Sequence, residues 1–254
     1  MQNVKYELSD DYGDFKKFLI NIKDEFEASS SVIHRARNVL KVLDYQDKEL
    51  VVKSFRKPGL INKFVYSFFK DSKAKRSFDH AMKLKELGVN TPLPVGYVEF
   101  YKKGFLEESF FVTEKCDYDF TIREPLLDMH FKNRRKIFKD FVWFTYNLHK
   151  KKVYHKDYSP GNILIQYHDC CNEFILVDIN RMDFRSLQYA EKIKSFIKLW
   201  PDDESLSFML KIYAEYSKLD QEKMVSDGLK WLNKYKQRKN FLKKIKKFMR
   251  RAKV

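Results

Sequence analysis

Hydrophobic and polar residues alternate along two stretches in the first half of the chain, Asn38–Asp44 and Glu49–Phe55. A period of two is typical of strands with one buried face. The four polar residues at 45–48 predict a turn that joins these strands into a hairpin. The same pattern predicts a second pair of strands, at Val95–Phe100 and Ser109–Lys115.

Helical spacing appears between and after these pairs. Residues 73–87 place their apolar side chains on one side, and Gly88 is a suitable residue to end the helix. Residues 133–151 carry an apolar stripe spaced at i, i+4, i+7 and i+11, which predicts a second amphipathic helix. The members of that stripe are Ile137, Phe141, Phe144 and Leu148.

Two short strands are predicted at 163–167 and 173–177, and everything after Leu187 has helical spacing. The resulting fold class is α+β with two lobes. Residues 1–117 form an N-terminal lobe of antiparallel strands plus one helix, and residues 118–254 form a mostly helical C-terminal lobe.

Composition is that of a folded chain with reduced cysteines. Apolar residues make up 44% and aromatic residues 16% of the 254 residues, enough for a buried core. Three cysteines suit neither a disulfide framework nor a zinc site. No run approaches the roughly 18 apolar residues of a membrane span, and the acidic start shows no secretory signal. We therefore expect a cytoplasmic protein.

Positive charge is concentrated at the C-terminus. The chain carries a net +16, and residues 230–254 contain twelve Lys or Arg and no Asp or Glu, which leaves +4 for the rest. This segment predicts a basic amphipathic helix with Phe241, Leu242, Ile245, Phe248 and Met249 on one side. It could pack on its own lobe, dock on an anionic membrane, or, as the less favoured partner, bind nucleic acid. Nothing in the sequence indicates an oligomeric state.

Residues 155–164 contain the pattern His-x-Asp-x-x-x-x-Asn, formed by His155, Asp157 and Asn162. Asp178 follows sixteen positions later, after an apolar run. Phosphoryl transfer from ATP needs one carboxylate to deprotonate the acceptor hydroxyl, and an amide oxygen with a second carboxylate to hold Mg²⁺. The spacing therefore predicts ATP and Mg²⁺ as cofactors. A surface turn that happens to contain Asp and Asn is the structural alternative.

The chain resembles the lipopolysaccharide kinase family that phosphorylates Kdo or heptose, within the protein-kinase-like fold. The resemblance spans about residues 33–184 and rests on four segments. These are 51–55 (VVKSF), 75–92 (from KRSFD to LGVNTP), 155–164 (HKDYSPGNIL) and 177–181 (VDINR).

This resemblance implies a role for each matching residue. Asp157 would be the catalytic base, with His155 as a structural member of its loop. Asn162 and Asp178 would be the metal ligands, and Lys53 the strand lysine that reaches the α- and β-phosphates. The list of catalytic candidates is completed by Asp79, the expected helix partner of Lys53, with Glu86 as its substitute.

Three departures from protein kinases stand out. Residues 33–38 contain no glycine, so the Gly-rich phosphate loop is missing, and Arg35 or Arg37 are candidates to replace it. Asn180 stands where a glycine follows the metal-binding Asp, and Asn tolerates the left-handed backbone region. Ser159 occupies the position of the lysine in Ser/Thr protein kinases, and no Ala-Pro-Glu segment follows, which favours a small acceptor.

The expected function is an ATP-dependent kinase that phosphorylates a sugar hydroxyl of the lipopolysaccharide inner core, Kdo rather than heptose. Its substrate would be lipid-linked, and the protein peripheral on the inner leaflet of the bacterial inner membrane. Two alternatives stay open. One is a small-molecule phosphotransferase of the aminoglycoside or choline kinase kind, and the other is a catalytically silent kinase-like scaffold.

Overall fold

The computed structural model describes residues 2–35, 38–55, 59, 66 and 70–251. The chain divides into two units by its internal contacts: Met1–Asp117 with Ile175–Arg181, and Tyr118–Phe174 with Met182–Val254. The sequence also predicts a division between residues 117 and 118. The difference is the segment Ile175–Arg181, which the sequence assigns to the second lobe and which packs with the first unit.

The first unit is built on a six-stranded antiparallel sheet with the order β1-β5-β6-β4-β3-β2. Both predicted hairpins are present. In the first, Gln46 adopts a positive φ of 54° at the turn, a conformation common in tight hairpin loops. The strands are β1 Gln2–Leu8, β2 Val32–Arg35, β3 Val39–Tyr45, β4 Lys48–Phe55, β5 Pro94–Lys102 and β6 Phe105–Glu114.

Helices cover both faces of this sheet. On one face a 3₁₀ turn (Asp10–Phe15), α1 (Lys16–Ile20) and α2 (Ile22–Ala28) share a buried apolar cluster with the strands. On the other face lies α3 (Lys73–Glu86), whose Phe78 ring packs 5.5 Å from that of Tyr97. The sequence predicts only α3, because α1 and α2 have five and seven residues, too few for a helical period to stand out.

The second unit is mostly helical. Its helices are α4 Arg123–Leu127, α5 Arg134–Lys150, α6 Tyr189–Ile197, α7 Asp203–Ser217 and α8 Gln221–Arg251. Its short strands are β7 Phe120–Thr121, β8 Val153–His155, β9 Ile163–Gln166 and β11 Met182–Phe184, with β10 Glu173–Leu176 beginning in this unit and ending in the first. Strands β7 and β9 pair antiparallel, as do β8 and β11.

The predicted stripe on α5 forms the centre of this unit. Phe141 contacts Phe196 of α6 with ring centroids 6.3 Å apart, and Phe196 contacts Tyr213 of α7 at 5.3 Å. Edge-to-face contacts of this kind add to the free energy gained from burying the rings. The α5–α6–α7 core therefore supports the loop that follows α5.

Helix α8 changes character along its length. Met224 and Leu232 in its first half are fully buried. Further along, Phe241, Leu242 and Ile245 are 63%, 43% and 39% exposed. The side chains of Phe248 and Met249 lie outside the described residues. No helix in the described part of the chain is long and apolar enough to span a membrane.

A buried histidine links three helices of the second unit. His149 on α5 contacts the Tyr213 hydroxyl through Nδ1 at 2.8 Å and the Ser195 hydroxyl through Nε2 at 3.3 Å. Burial lowers the pKa of His149 to about 3, and repulsion by Lys192 and Lys198 contributes. The ring is therefore neutral in the folded protein over most of the acidic range.

This histidine predicts a loss of stability in mild acid. Below pH 6.5, the ordinary pKa of histidine, His149 is protonated in the unfolded chain but stays neutral in the folded chain until about pH 3. The free energy of unfolding therefore falls as the pH falls from 6.5 towards 3. We expect roughly 2 kcal/mol to be lost between pH 7 and 5 from this residue. Urea unfolding at both pH values measures it; His149→Gln should be the less pH-sensitive protein, and parallel curves for the two would contradict the assignment.

Candidate active site

Lys53 lies on the sheet face that α3 covers. In the cross-strand register it stands beside Phe111, which stands beside Tyr97, so all three share one face. Its neighbour Val52 points to the opposite, fully buried face. The Lys53 ammonium donates to Asp178 Oδ1 at 2.6 Å, with the side chains 14% and 32% exposed. The strand lysine and the second carboxylate, 125 residues apart, thus form an ion pair within the first unit.

Asp178 is held in an uncommon backbone conformation. Its φ is 54°, in the left-handed region, which costs a residue other than glycine about 1–3 kcal/mol. The side chain of Asn180, which is buried, donates from Nδ2 to Asp178 Oδ1 at 2.7 Å. The expectation that Asn180 itself occupies the left-handed region is wrong: Asp178 does, and Asn180 binds its carboxylate.

The backbone around Asp178 is fixed by groups from α3 and the segment after it. His80 Nδ1 contacts the carbonyl oxygen of Ile179 at 2.7 Å. The Thr91 hydroxyl donates to the carbonyl oxygen of Leu176 at 2.8 Å, and Leu176 N–H donates to the carbonyl of Asn90 at 2.9 Å. Asn90 and Thr91 therefore anchor the end of β10, which leads to Asp178.

Positive charge surrounds this carboxylate. Lys73, the first residue of α3, has its pKa lowered by burial and then by the nearby Arg181 and Arg76, while Asp178 partly offsets the effect. Lys53 adds to the same repulsion. Among the described residues, the charges of Lys53, Lys73, Arg76 and Arg181 favour the binding of an anion here, and a triphosphate is one.

The second unit holds the other two candidates in one loop. Asn162 Nδ2 donates to the carbonyl oxygen of Asp157 at 2.8 Å, and the backbone N–H of Ser159 donates to the same oxygen at 2.8 Å. The buried His155 ring accepts from the Asp157 N–H through Nδ1 at 3.1 Å. These bonds order the loop between β8 and β9, and because Asn162 donates through its nitrogen, its amide oxygen is the atom suited to a metal.

Gly161 lets an arginine lie against this loop. A Cβ atom at this position would come 2.5 Å from Nη2 of Arg123, the first residue of α4, which is closer than carbon and nitrogen can approach. A larger residue at position 161 would therefore displace the Arg123 guanidinium from this loop.

The expected partner of Lys53 on α3 is not formed. Asp79 pairs with Lys75, one turn away on the same helix, at 2.7 Å, and Glu86 pairs with Lys83 at 2.7 Å. The first pair is partly exposed and the second is well exposed. Lys53 instead pairs with Asp178, because the segment after β10 brings that carboxylate to the sheet. The side chain of Arg35 and the whole of Arg37, the candidates to replace the glycine loop, lie outside the described residues.

The donor chemistry fits Mg²⁺ bound with a nucleotide. Among the described residues, no three His, Cys, Asp or Glu side chains group as a metal site. Mg²⁺ prefers oxygen ligands and is commonly held by only one or two protein groups, with water and phosphate in the remaining positions. A carboxylate at Asp178 and an amide oxygen at Asn162 are groups of that kind, so the residues present suit this ion.

Comparison with known proteins places these features in a family. A protein-kinase-like fold is defined by three features: the six-stranded sheet that carries Lys53, the helix α3 on the same face as this lysine, and the His-x-Asp-x-x-x-x-Asn loop. Residues 29–207 match the model of the lipopolysaccharide kinase (Kdo/WaaP) family. The chain belongs to this family, and it is accordingly a phosphotransferase of the lipopolysaccharide kinase kind.

One solved structure supports the fold, and a second is reported with it. A structure described as WaaP in complex with acyl carrier protein matches with a TM-score of 0.61 at 14% identity, covering 92% of this chain and 98% of that one. The bifunctional kinase-methyltransferase WbdD matches with a TM-score of 0.45 at 12% identity, over 75% of this chain and 47% of that one. A search of the curated proteins finds no match.

Loss of the Lys53–Asp178 ion pair and loss of the Lys75–Asp79 ion pair should affect activity very differently. Lys53→Met should lower kcat/KM for ATP by about 100-fold or more, because it removes the largely buried charge that pairs with Asp178. Asp79→Asn should change it by less than about 3-fold, since a partly exposed i,i+4 pair is worth little. Initial rates at varied ATP measure both, with Lys75→Met as the matched control. A loss in Asp79→Asn as large as that in Lys53→Met would restore Asp79 as the functional partner.

Proposed function

We propose that the protein transfers the γ-phosphoryl group of ATP to a sugar hydroxyl of the lipopolysaccharide inner core, and that Kdo rather than heptose carries this hydroxyl. The observation that carries the proposal is the Lys53–Asp178 ion pair on a chain of the lipopolysaccharide kinase family. The ordered loop that holds Asp157 and Asn162 supports it.

Each of the four residues has a definite task in this reaction. Asp157 accepts the proton of the acceptor hydroxyl while its oxygen forms the new P–O bond, and ADP leaves with the electron pair of the bond that breaks. Lys53 binds the α- and β-phosphates. Asn162 and Asp178 would hold Mg²⁺, which when bound neutralises phosphate charge.

A small-molecule phosphotransferase and a silent scaffold are the alternatives. An exposed apolar and basic helix end has no use in a phosphotransferase for soluble alcohols, which favours the lipid-linked acceptor. A scaffold has no need to keep Asp178 in a strained conformation, paired with both Lys53 and Asn180. Backbone strain that is maintained by surrounding contacts is typical of functional sites.

The direct test is phosphorylation of a defined acceptor. Purified protein incubated with Mg²⁺, ATP and a Kdo-bearing lipid A precursor should add one phosphate, detected by mass spectrometry of the glycolipid. Asp157→Asn should reduce the rate by about 100-fold or more, because the base is lost. A heptose-bearing acceptor and a free aminoglycoside run in parallel. Transfer to either of these alone, or full activity of Asp157→Asn, would overturn the proposal.

We further propose that the distal part of α8 docks on the anionic inner leaflet of the bacterial inner membrane, on the cytoplasmic side. Phe241, Leu242 and Ile245 are exposed there, with Lys243 and Lys244 between them. Interfacial binding has two elements: apolar side chains enter the boundary of the acyl chains, and neighbouring lysines contact the anionic headgroups. This placement would keep the enzyme beside a lipid-linked sugar.

Vesicle flotation tests the docking surface. Wild-type protein should float with vesicles of phosphatidylglycerol and phosphatidylethanolamine, and a Phe241→Ser, Ile245→Ser double variant should stay mostly at the bottom because the buried apolar area is lost. Substitutions are used because deletion of all residues after Leu229 would also remove Leu232, which is fully buried. Leu127→Ser, at an exposed apolar site on α4, is the matched control. Equal flotation of all three proteins would contradict membrane docking through α8.

A further inference from the structure

A lysine from a distant helix lies against the catalytic loop. Lys198 is the residue that caps the C-terminal end of α6, and it is only partly exposed. Its ammonium donates to the Tyr154 hydroxyl oxygen at 3.0 Å and lies 3.5 Å from the carbonyl oxygen of His155. It also lies 4.5 Å from the centroid of the Tyr154 ring. The ammonium is thus placed beside strand β8, which leads directly into Asp157.

The contacts with Tyr154 and His155 do not by themselves stabilise the positive charge of Lys198 at this partly buried position. Removing an ammonium from water is costly unless an opposite charge compensates it. A neutral phenol and a distant carbonyl offer little compensation, so a carboxylate is needed.

Two carboxylates attract Lys198, Asp157 more strongly than Glu191. Glu191 is already occupied, because it accepts from the Arg185 guanidinium at 2.6 and 2.9 Å and from the backbone N–H of Gln188 at 3.0 Å. The catalytic-base candidate Asp157, two residues after His155, is therefore the carboxylate left to attract this lysine.

We propose that Lys198 supplies, from the end of α6, the positive charge that Ser159 does not supply within the catalytic loop. The proposal rests on the proposed function, because it assigns Lys198 a task in phosphoryl transfer. A negatively charged phosphoryl group that approaches the acceptor next to the Asp157 carboxylate is repelled by it. The ammonium held against strand β8, near Asp157, reduces that repulsion. Lys198 is thus a positioning residue that acts through Asp157.

The first test separates charge from structure. Lys198→Met keeps the apolar stem against Tyr154 and should lower kcat by about 10- to 100-fold with little change in the KM for ATP, because one charge-assisted interaction is lost. Lys198→Arg should retain most of the rate. Lys194→Met, an exposed lysine on the same helix, is the matched control and should behave as wild type. Equal kcat values for Lys198→Met and Lys194→Met would overturn the proposal.

The pH profile adds a readout that a structural role would not change. Burial lowers the pKa of Lys198 to about 8, and Asp157 opposes that shift. Raising the pH through 8 should therefore slow the wild-type enzyme but not Lys198→Arg, whose guanidinium stays charged. The other charged or titratable groups that face Lys198 are Tyr154, Lys156, Glu191 and Lys194. A high-pH limb identical in wild type and Lys198→Arg would contradict the assignment.

A second measurement needs no acceptor and no turnover. Reductive methylation with ¹³C-formaldehyde followed by NMR titration reports the protonation of each lysine, and Lys198→Arg assigns the signal. In the full-length protein, Asp157→Asn should lower the pKa of Lys198 further, because the attracting carboxylate charge is gone. An unchanged titration would show that the two groups are not coupled and would overturn the proposal, even if phosphate transfer is found. A clear shift in a protein that transfers phosphate to none of the acceptors would instead fault the proposed acceptor and leave the coupling intact.

Discussion

The ion pair between Lys53 and Asp178 is the interaction on which the candidate site of the first unit depends. It joins a central strand of the sheet to a short segment more than a hundred residues further along the chain. Asn180 binds the same carboxylate oxygen, and His80 and Thr91 fix the backbone on either side. Together these contacts hold Asp178 in the left-handed backbone region, which residues other than glycine adopt infrequently.

In the second unit, hydrogen bonds likewise order the loop that contains Asp157 and Asn162. This loop must present a carboxylate and an amide oxygen in fixed positions, and it does so by using the backbone of Asp157 as the hydrogen-bonding centre. His155, Ser159 and Asn162 all bind that residue's main chain. In both units a candidate residue is thus held by hydrogen bonds from its surroundings, to the side chain of Asp178 and to the main chain of Asp157.

The sequence predicts those parts of the fold that depend on local period and turn chemistry. Both hairpins, α3 and α5 are found within a few residues of their expected bounds. Asp79 pairs with Lys75 and not with Lys53, because a spacing identifies which carboxylates lie on a helix, whereas the choice of ion partner depends on what the rest of the chain brings near. Asn180 and Lys198 escape prediction for the same reason, since their partners are known only once the chain is folded.

The central claim is that Asp178, paired with Lys53, forms part of a site for magnesium and ATP. Isothermal titration calorimetry of ATP binding at several Mg²⁺ concentrations, for wild type and Asp178→Asn, tests it most directly. Wild-type affinity for ATP should rise strongly with Mg²⁺, and this dependence should largely disappear in Asp178→Asn. The same Mg²⁺ dependence in both proteins would contradict it.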